Sequence, residues 1–203
     1  KIKIIMIRAI DKISAHIQES INAKSKLLSS REILENLEEA SSLLIKILQT
    51  KGKIMLIGNG GSAADSQHLA AEFITRLNFD RGSLPAIALS TDTSVLTAIS
   101  NDYDFTSVFS RQIEAIGNEG DALISISTSG QSANIVKAAQ IAKDKNIKII
   151  SLIGSKESKL HELSDIVLTT KVTNTARIQE IHILYGHILC SLVEESIFKN
   201  EKS

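Results

Sequence analysis

An apolar run that leads through a hydroxyl-rich loop into an amphipathic helix constrains the fold of this chain most strongly. Residues 122–126 are apolar enough for a buried parallel strand, and residues 135–142 carry apolar side chains at helical spacing. Between them lies the polar turn 127–130, Ser-Thr-Ser-Gly. A helix that starts directly after a strand points free N–H groups and its positive dipole end at one spot, which suits phosphate. The alternative is that Ser129 simply caps the helix, and this stretch alone leaves both interpretations open.

The same pattern occurs earlier in the chain. Residues 53–57 predict a short buried strand, residues 58–62 (Gly-Asn-Gly-Gly-Ser) a glycine loop, and residues 63–76 a helix. The glycines do not match the G-x-G-x-x-G dinucleotide fingerprint, and the loop lacks the Gly-Lys-Ser/Thr of a P-loop. We therefore expect no nucleotide cofactor, but a ligand that lies against bare backbone.

Strands and helices alternate through the remaining chain. Further strands are predicted at 85–89, 148–153 and 166–169, helices at 95–99, 105–116, 157–163 and 174–198, and a polar turn at 101–104. This alternation with short connections predicts an α/β fold with a doubly wound parallel sheet of five strands. Ligands of such sheets bind beyond the carboxyl ends of the strands, where both polar loops are predicted to lie.

Two helices are predicted in residues 1–50, ahead of the sheet domain of residues 51–203, and we expect both parts to form a single domain. The first helix repeats isoleucine at three- and four-residue spacing: Ile10, Ile13, Ile17 and Ile21. The second begins at Ser29 or Ser30, and Ser29 with Glu32 fits a capping box. Its predicted apolar face comprises Ile33, Leu34, Leu37, Leu44, Ile47 and Leu48. Because the first helix is apolar over its length, we expect it to form an oligomer interface, with packing inside the chain as the alternative.

Composition narrows the possible partners. The 203 residues include 23 basic and 23 acidic side chains, for a formal net charge of +0, which argues against a nucleic-acid binder. No apolar run approaches the ~20 residues of a membrane span, and the apolar N-terminal run is too short and interrupted for a signal peptide. The lone Cys190 lies among apolar residues and predicts a core position. We expect a cytoplasmic protein with no membrane or nucleic-acid partner.

Candidate catalytic side chains lie on two of the predicted helices. His68 and Glu72 are four residues apart and share a helix face, as a metal-ligand pair, an acid–base pair or an ordinary surface pair. Gln179 and His187 lie about 12 Å apart along the last helix and can face one cavity. His182 either lines the same cleft or packs in the core. A carboxylate and an imidazole beside a phosphosugar suit proton transfer next to a carbonyl, as in aldose–ketose isomerisation.

Five blocks of residues together resemble a known family. They are residues 58–68 (Gly-Asn-Gly-Gly-Ser-Ala-Ala-Asp-Ser-Gln-His), 84–89, 99–102, 127–134 and 177–182 (Arg-Ile-Gln-Glu-Ile-His). The family is the bacterial phosphoheptose (sedoheptulose 7-phosphate) isomerases, which are proteins of the sugar-isomerase (SIS) domain class with a flavodoxin-like sheet. The Ser-Thr-Ser-Gly loop marks only the broad sugar-phosphate class, whereas the first and last blocks are more specific. The resemblance covers nearly the whole chain, including the N-terminal helices.

The resemblance implies an activity and a set of residues. The activity is conversion of D-sedoheptulose 7-phosphate to D-glycero-D-manno-heptose 7-phosphate through an enediol, for nucleotide-activated heptose of lipopolysaccharide or capsule. Glu72 would be the base for proton transfer between C1 and C2, and His187 its partner acid–base group. Ser127, Thr128, Ser129 and Ser132 would hold the phosphate. The remaining implied substrate contacts are Asn59, Gly60, Gly61, Glu72, Asn101, Asp102 and Gln179.

The resemblance also implies a possible metal and an assembly. Some family members bind Zn²⁺ through residues that match His68, Glu72, Gln179 and His187. Members are homotetramers with helices packed centrally and sites completed by neighbouring chains, which agrees with the apolar first helix. Ala176 departs from the pattern, since an acidic residue is expected immediately before Arg177.

Two other functions compete with the isomerase. One is a non-catalytic SIS relative that binds a protein partner and regulates replication initiation, which should lack the site residues that this chain keeps. The other is a sugar-phosphate sensor joined to a DNA-binding domain, for which the sequence offers no separate domain and no basic excess.

Overall fold

A parallel sheet of five strands forms the centre of the protein. The computed structural model describes residues 2–154 and 157–199, with the side chains of residue 9 onwards. The strands are β1 (Ile54–Gly58), β2 (Ala86–Ala88), β3 (Ala122–Ser127), β4 (Lys148–Ile153) and β5 (Ile166–Thr169). They follow the order β2-β1-β3-β4-β5, and every neighbouring pair is parallel. The predicted fold class is confirmed, and the chain reverses its winding direction between β1 and β3.

Helices cover both faces of the sheet. They are α1 (Ile2–Leu28), α2 (Arg31–Gln49), α3 (Gly61–Ile74), α4 (Thr93–Asp102), α5 (Ser110–Ile116), α6 (Ala133–Asp144), α7 (Lys159–Leu163) and α8 (Thr175–Phe198), with a 3₁₀ turn at Phe105–Ser107. Side chains alternate along β1. Ile54 and Leu56 join a core with α2, α3 and α8, whereas Met55 and Ile57 join one with α5 and α6. Burial on both faces explains why β1 and β3 read as apolar runs.

Helix α8 is the long core helix of the domain. It is long and apolar enough by composition to cross a membrane. However, its residues Tyr185, Leu189 and Val193 are buried in the core that α2 and α3 share with the sheet. Tyr185 also donates from its hydroxyl to the carbonyl oxygen of Thr169 at the end of β5, at 2.7 Å. These contacts account for its apolar character.

The start of α2 differs from the sequence prediction. Ser30, and not Ser29, is the N-cap residue, and its side chain makes no capping hydrogen bond in the described chain. The Ser29 hydroxyl donates back to the carbonyl oxygen of Ser25, because α1 runs as far as Leu28. Glu32 pairs instead with Lys171 at 3.0 Å. The predicted capping box is therefore wrong. Leu34, predicted to lie on the apolar face of α2, is exposed as well.

The polar turn predicted at 101–104 and the helix predicted at 105–116 are also corrected. Asp92 caps α4 by accepting from the Val95 N–H at 3.0 Å, and the helix continues through Asp102. The following helix is interrupted because Asp104 accepts hydrogen bonds from the Thr106 and Ser107 hydroxyls. Such local side-chain bonds compete with regular helix, and α5 starts only at Ser110.

Helix α1 is attached to the domain by one face. Arg177 donates to the His16 carbonyl oxygen at 2.6 Å, and the Ser20 hydroxyl donates to the Glu180 carboxylate at 2.7 Å. Ala23 and Leu27 of α1 are buried. The isoleucine stripe predicted for this helix (Ile10, Ile13, Ile17 and Ile21) is 51–58% exposed in the single chain. An apolar stripe of this kind is typical of an interaction surface.

A buried ion pair fastens the connection between α3 and β2 to α8. Arg81 Nε lies 3.1 Å from Glu194 Oε1, and the two side chains are 2% and 0% exposed. The carboxylate also accepts from the N–H groups of Leu77 at 3.0 Å and Asn78 at 2.8 Å. Burial raises the pKa of Glu194, but these hydrogen bonds and Arg81 outweigh that effect and leave the pKa below its ordinary value.

The same arginine closes the end of α3. Arg81 donates to the carbonyl oxygen of Phe73 at 2.6 Å and to that of Glu72 at 2.7 Å. Basic side chains commonly satisfy the last carbonyls of a helix in this way. The Arg81–Glu194 pair therefore fixes the backbone at Glu72, one of the predicted catalytic residues.

Candidate active site

The glycine loop (residues 58–61) joins β1 to α3 and is shaped by close contacts. A Cβ on Gly58 would lie 2.3 Å from the carbonyl oxygen of Ser62, so a side chain does not fit there. Gly60 has φ +56°, a left-handed conformation that glycine adopts without strain. At Gly61 a Cβ would lie 2.7 Å from Nε2 of Gln179. The amide of Gln179, on α8, therefore lies directly against this loop.

The serine loop (residues 127–132) joins β3 to α6. The Ser127 hydroxyl oxygen accepts from the Gly130 N–H at 3.1 Å, and that of Ser129 accepts from the Gln131 N–H at 3.2 Å. Each hydroxyl can still donate its own proton to an anion. The hydroxyls of Thr128 and Ser132 have no hydrogen-bond partner in the part of the chain that the structure describes. Ser132, and not Ser129, is the N-cap residue of α6.

The serine loop offers hydroxyl groups more than free backbone N–H groups as hydrogen-bond donors. Two loop N–H groups are taken by serine oxygens, so a phosphate would be held mainly by hydroxyl donors. Gly130 has φ +62°, and a Cβ there would lie 2.1 Å from the Ser158 hydroxyl oxygen. The loop is therefore closely packed against the segment before α7. A cavity of about 420 Å³ opens beside it, lined by Thr128, Ser129, Gln131, Glu157, Val172, Thr173, Thr175 and Ile178.

Two asparagine side chains connect the glycine and serine loops. Asn59 Nδ2 donates to Asn134 Oδ1 at 2.9 Å, and Asn134 Nδ2 donates to Asn59 Oδ1 at 2.9 Å. Asn134 lies in the first turn of α6 and is 3% exposed. The family resemblance implies that Asn59 lines the sugar, and in the single chain its side-chain amide is engaged by Asn134.

The predicted catalytic side chains come together where α3 crosses α8. Gly186 makes the crossing close, since a Cβ there would lie 2.4 Å from side-chain carbons of Leu69. His187 is thereby placed with its Nε2 atom 2.8 Å from Nε2 of His68. Glu72 Oε1 lies 3.6 Å from the same His68 nitrogen. The sequence spacing predicted that His68 and Glu72 lie on one helix and Gln179 and His187 on another. The crossing of α3 and α8 brings His187 next to His68.

The two imidazoles contact each other through their Nε2 atoms. At 2.8 Å one Nε2 donates a hydrogen bond and the other accepts it, and the tautomer of each ring decides which. The Glu72 side chain is 19% exposed and that of His68 is 48% exposed. The cluster is thus open to solvent on one side in the single chain and can receive a ligand there.

Asp65 is a neighbour of this cluster that the sequence analysis did not single out. It lies one helical turn before His68 on α3, in the helix face that also carries Glu72. Burial raises the pKa of Asp65, and the charges of His68 and His187 offset this only in part. The i, i+3, i+7 spacing of Asp65, His68 and Glu72 was the signal that could have identified it.

Other predicted residues lie apart from the cluster. Asn101 and Asp102 are exposed at the end of α4, where Asn101 Nδ2 donates to Asp102 Oδ1 at 2.9 Å. In the chain as described, no hydrogen bond or ion pair links them to the other predicted site residues. Ala176 is exposed in the first turn of α8, and its N–H donates to the capping Asn174 side chain at 3.0 Å.

His182 belongs to the core. It is fully buried, and neither ring nitrogen has a hydrogen-bond partner among the described residues. Burial lowers its pKa to about 4, although the backbone of Ile153 acts in the opposite direction. Of the two positions left open by the sequence, packing is therefore the one it adopts.

The donor set at the crossing suits zinc in its chemistry. Two imidazoles and a carboxylate are the ligands of one well-known type of catalytic zinc site. Two nitrogens on one tetrahedral zinc at about 2.0–2.1 Å each would lie roughly 3.4 Å apart, so the His68 and His187 rings, at 2.8 Å, would have to separate slightly. Across residues 2–154 and 157–199 no group of three or more His, Cys, Asp or Glu side chains has metal-binding geometry as it stands.

Comparison with known proteins identifies the family. A family model described as SIS domain matches residues 9–154. The phosphoheptose isomerase of Aneurinibacillus thermoaerophilus is 50% identical over 191 residues, which cover 94% of this chain and 96% of that protein. The chain belongs to the phosphoheptose isomerase family. The resemblance inferred from the five sequence blocks is thereby confirmed.

Solved structures of the family share the architecture described above. The phosphoheptose isomerase of Neisseria gonorrhoeae is 42% identical, with a TM-score of 0.85 over 91% of this chain and 98% of that one. The Francisella tularensis phosphoheptose isomerase is 35% identical, with a TM-score of 0.88 over 92% of this chain and 98% of that one. Both structures cover more of this chain than residues 9–154, so the structural similarity extends beyond the region that the SIS model matches.

Proposed function

We propose that this protein is a sedoheptulose 7-phosphate isomerase that forms D-glycero-D-manno-heptose 7-phosphate. The observation that carries the proposal is the meeting of Glu72 and His187 at His68, where α3 crosses α8. Membership of the phosphoheptose isomerase family supports the substrate class. A non-catalytic regulator would have no need of this carboxylate–imidazole cluster, and so is not favoured.

The substrate would lie across the two loops. Its phosphate would be held by Ser127, Thr128, Ser129 and Ser132, whose hydroxyls can all donate to it. The open carbon chain would pass the backbone of Gly60 and Gly61, where the absence of side chains permits close approach. The Gln179 amide, seated on Gly61, would orient the oxygens at C1 and C2. Asn101 and Asp102 would contact the substrate only after a local movement or from a neighbouring chain.

Proton transfer would then proceed through an enediol. The Glu72 carboxylate removes a proton from C1 of the ketose while His187 donates a proton to the oxygen on C2. The proton returns from Glu72 to C2, and the C1 hydroxyl gives its proton to His187 as the aldehyde forms, which restores both side chains. Protons and electrons balance without a redox partner.

We also propose that Zn²⁺ binds at His68, Glu72 and His187, with Gln179 as a fourth ligand. Bound zinc would supply Lewis-acid polarisation of the substrate oxygens. The His₂Glu donor chemistry supports this site. Metal analysis of purified protein should find about one zinc per chain, and the substitution His68→Ala should abolish it. Equal zinc content in both proteins would contradict the assignment.

The proposal extends to the oligomeric state of the enzyme and to its place in the cell. We propose a homotetramer whose contacts include the exposed isoleucine stripe of α1, with the open side of each site covered by a neighbouring chain. Charged and polar residues elsewhere on α1 already bind its own domain, so the stripe faces away from it. We further propose that the enzyme acts in the cytoplasm, where its product would supply nucleotide-activated heptose for lipopolysaccharide or capsule.

The test of function is isomerisation of sedoheptulose 7-phosphate in D₂O, followed by proton NMR. We expect product formation with deuterium incorporated at C2, because the abstracted proton exchanges with solvent. Glu72→Gln and His187→Gln should each lower turnover by at least about 100-fold, within the range of acid–base catalysis. Glu35→Gln and His16→Gln, on exposed helix surfaces, are the matched controls and should retain full activity. Full activity of either site variant would refute the catalytic roles.

A further inference from the structure

The pair formed by Asn59 and Asn134, here called the amide bridge, joins the glycine loop to the first turn of α6 beside the serine loop. Both side-chain amides donate once and accept once within the pair, each at 2.9 Å. The bridge lies just beyond the last paired residues of β1 and β3, where Gly58 is opposite Ile126. It therefore extends the contact between the two strands into the loops that follow them.

The orientation of the bridge is fixed by the backbone. Asn134 Oδ1 also accepts from the N–H of Ile135 at 3.0 Å, so this atom must be the amide oxygen. The partner atom of Asn59 must then be its nitrogen, and the second hydrogen bond follows from the first. Because Asn134 is 3% exposed, neither bond faces competition from bulk water on that side.

We propose that Asn134 is a positioning residue that sets the distance between the phosphate end and the carbonyl end of the substrate. The inference rests on the proposed function. With the bridge closed, Asn59 would shape the site through its backbone, since its side-chain amide is already engaged. A fixed distance between the loops selects for the number of carbons between the phosphate and the reacting carbonyl. Loss of the bridge should therefore reduce turnover of a seven-carbon substrate more than that of a shorter one.

A double-mutant cycle tests this proposal. Asn59→Ala, Asn134→Ala and the double variant should each lower kcat/KM by a similar factor of about 10 to 100, since misplacement by 1 Å can cost about 100-fold. Residues that act as one unit give non-additive losses. If the Asn59 amide instead contacts substrate directly, Asn59→Ala will lose more than Asn134→Ala and the losses will multiply. That result would overturn the bridge.

Two further measurements distinguish a positioning role of Asn134 from a general loss of structure in the Asn134→Ala variant. Inhibition by inorganic phosphate should change less than about twofold in Asn134→Ala, because the serine-loop contacts remain intact. The ratio of kcat/KM for seven-carbon over five-carbon ketose phosphate should fall at least about tenfold. Gln140→Ala removes an exposed hydrogen bond to Asp144 on the same helix and is the control, with both values unchanged. Parallel loss of phosphate inhibition and turnover would refute the positioning role.

Hydrogen exchange tests the bridge without reference to activity. The amides of Ser62 and Ala63 bond to carbonyl oxygens of Asn59 and Gly60, at 3.0 and 3.1 Å. In Asn134→Ala a peptide covering residues 58–66 should exchange faster than in the wild type, measured by mass spectrometry. Unchanged exchange would refute the bridge. If exchange is faster in Asn134→Ala but the wild type lacks isomerase activity, the proposed function is refuted. The amide bridge would in that case still be shown to connect the loops.

Discussion

The Arg81–Glu194 pair gives the sharpest test of how this fold is held together. The substitution Glu194→Gln keeps the size of the side chain and removes its charge. It leaves the Arg81 guanidinium, 2% exposed, without its counter-ion. It also replaces one of the carboxylate oxygens that accept the Leu77 and Asn78 N–H groups by an NH₂ group that cannot accept.

The expected loss of stability is large for a single substitution. Removal of one partner of a buried ion pair costs about 3–5 kcal/mol, because the remaining charge stays buried. We expect about 3 kcal/mol, since Arg81 keeps its bonds to the backbone carbonyls of Phe73 and Glu72. For a chain of this size such a loss lowers Tm by roughly 6–12 °C.

Urea denaturation at pH 7 and fixed protein concentration measures the effect. Glu35→Gln is the matched control, because its partner Arg31 lies 2.7 Å away but is 90% exposed, and we expect a loss under about 0.5 kcal/mol. The folded pKa of Glu194 is lowered, so its stabilisation is present above the ordinary value of 4.5 and is lost as pH falls through the folded value. The difference between wild type and Glu194→Gln should thus shrink in acid. Equal stability of Glu194→Gln and Glu35→Gln at pH 7 would refute the reasoning.

Three more predictions follow from the packing. Gly186→Ala forces Leu69 away and separates the helices that carry the proposed catalytic residues, so turnover should fall more than about tenfold and stability by about 1–3 kcal/mol. Gly82→Ala, where a Cβ makes only an ordinary 3.5 Å contact, is the control in both assays. Burial lowers the pKa of His182 from its ordinary value of 6.5 to about 4, so as the pH falls below 6.5 the unfolded chain takes up this proton before the folded chain does. The free energy of unfolding should therefore drop by about 2 kcal/mol between pH 7 and pH 5. Urea denaturation of His182→Leu at both pH values should lack that drop. Ile17→Glu should reduce the mass measured by light scattering to that of a smaller species, and an unchanged mass would exclude the α1 stripe as an interface.

The sequence predicted the sheet and its loops well because their signals are local. Strands β1 and β3 are buried on both faces, so their apolar runs identified them within one or two residues. The glycine and serine loops follow directly from where those runs end. In a parallel sheet the carboxyl ends of neighbouring strands share an edge, so their proximity also follows from the pattern.

The features that were missed depend on contacts between distant parts of the chain. The partner of Asn59 is 75 residues away at Asn134, and the partner of Arg81 is 113 residues away at Glu194. The periodicity of apolar residues along the sequence gives no information about such pairings. The errors at Ser29 and at the end of α4 have a different origin, because neighbouring hydroxyls and carboxylates there compete for the same backbone groups.

The several tasks of α8 restrict where this chain can tolerate changes in length. Within one helix, Gln179 lies against Gly61, His187 contacts His68, Tyr185 binds the end of β5 and Glu194 holds the connection after α3. Each inserted residue would rotate everything beyond it by about 100°. A single insertion or deletion between Gln179 and Glu194 would therefore break several of these contacts at once. Natural variation in chain length should instead accumulate outside α8 and outside the connection that carries Arg81, as at residues 170–174.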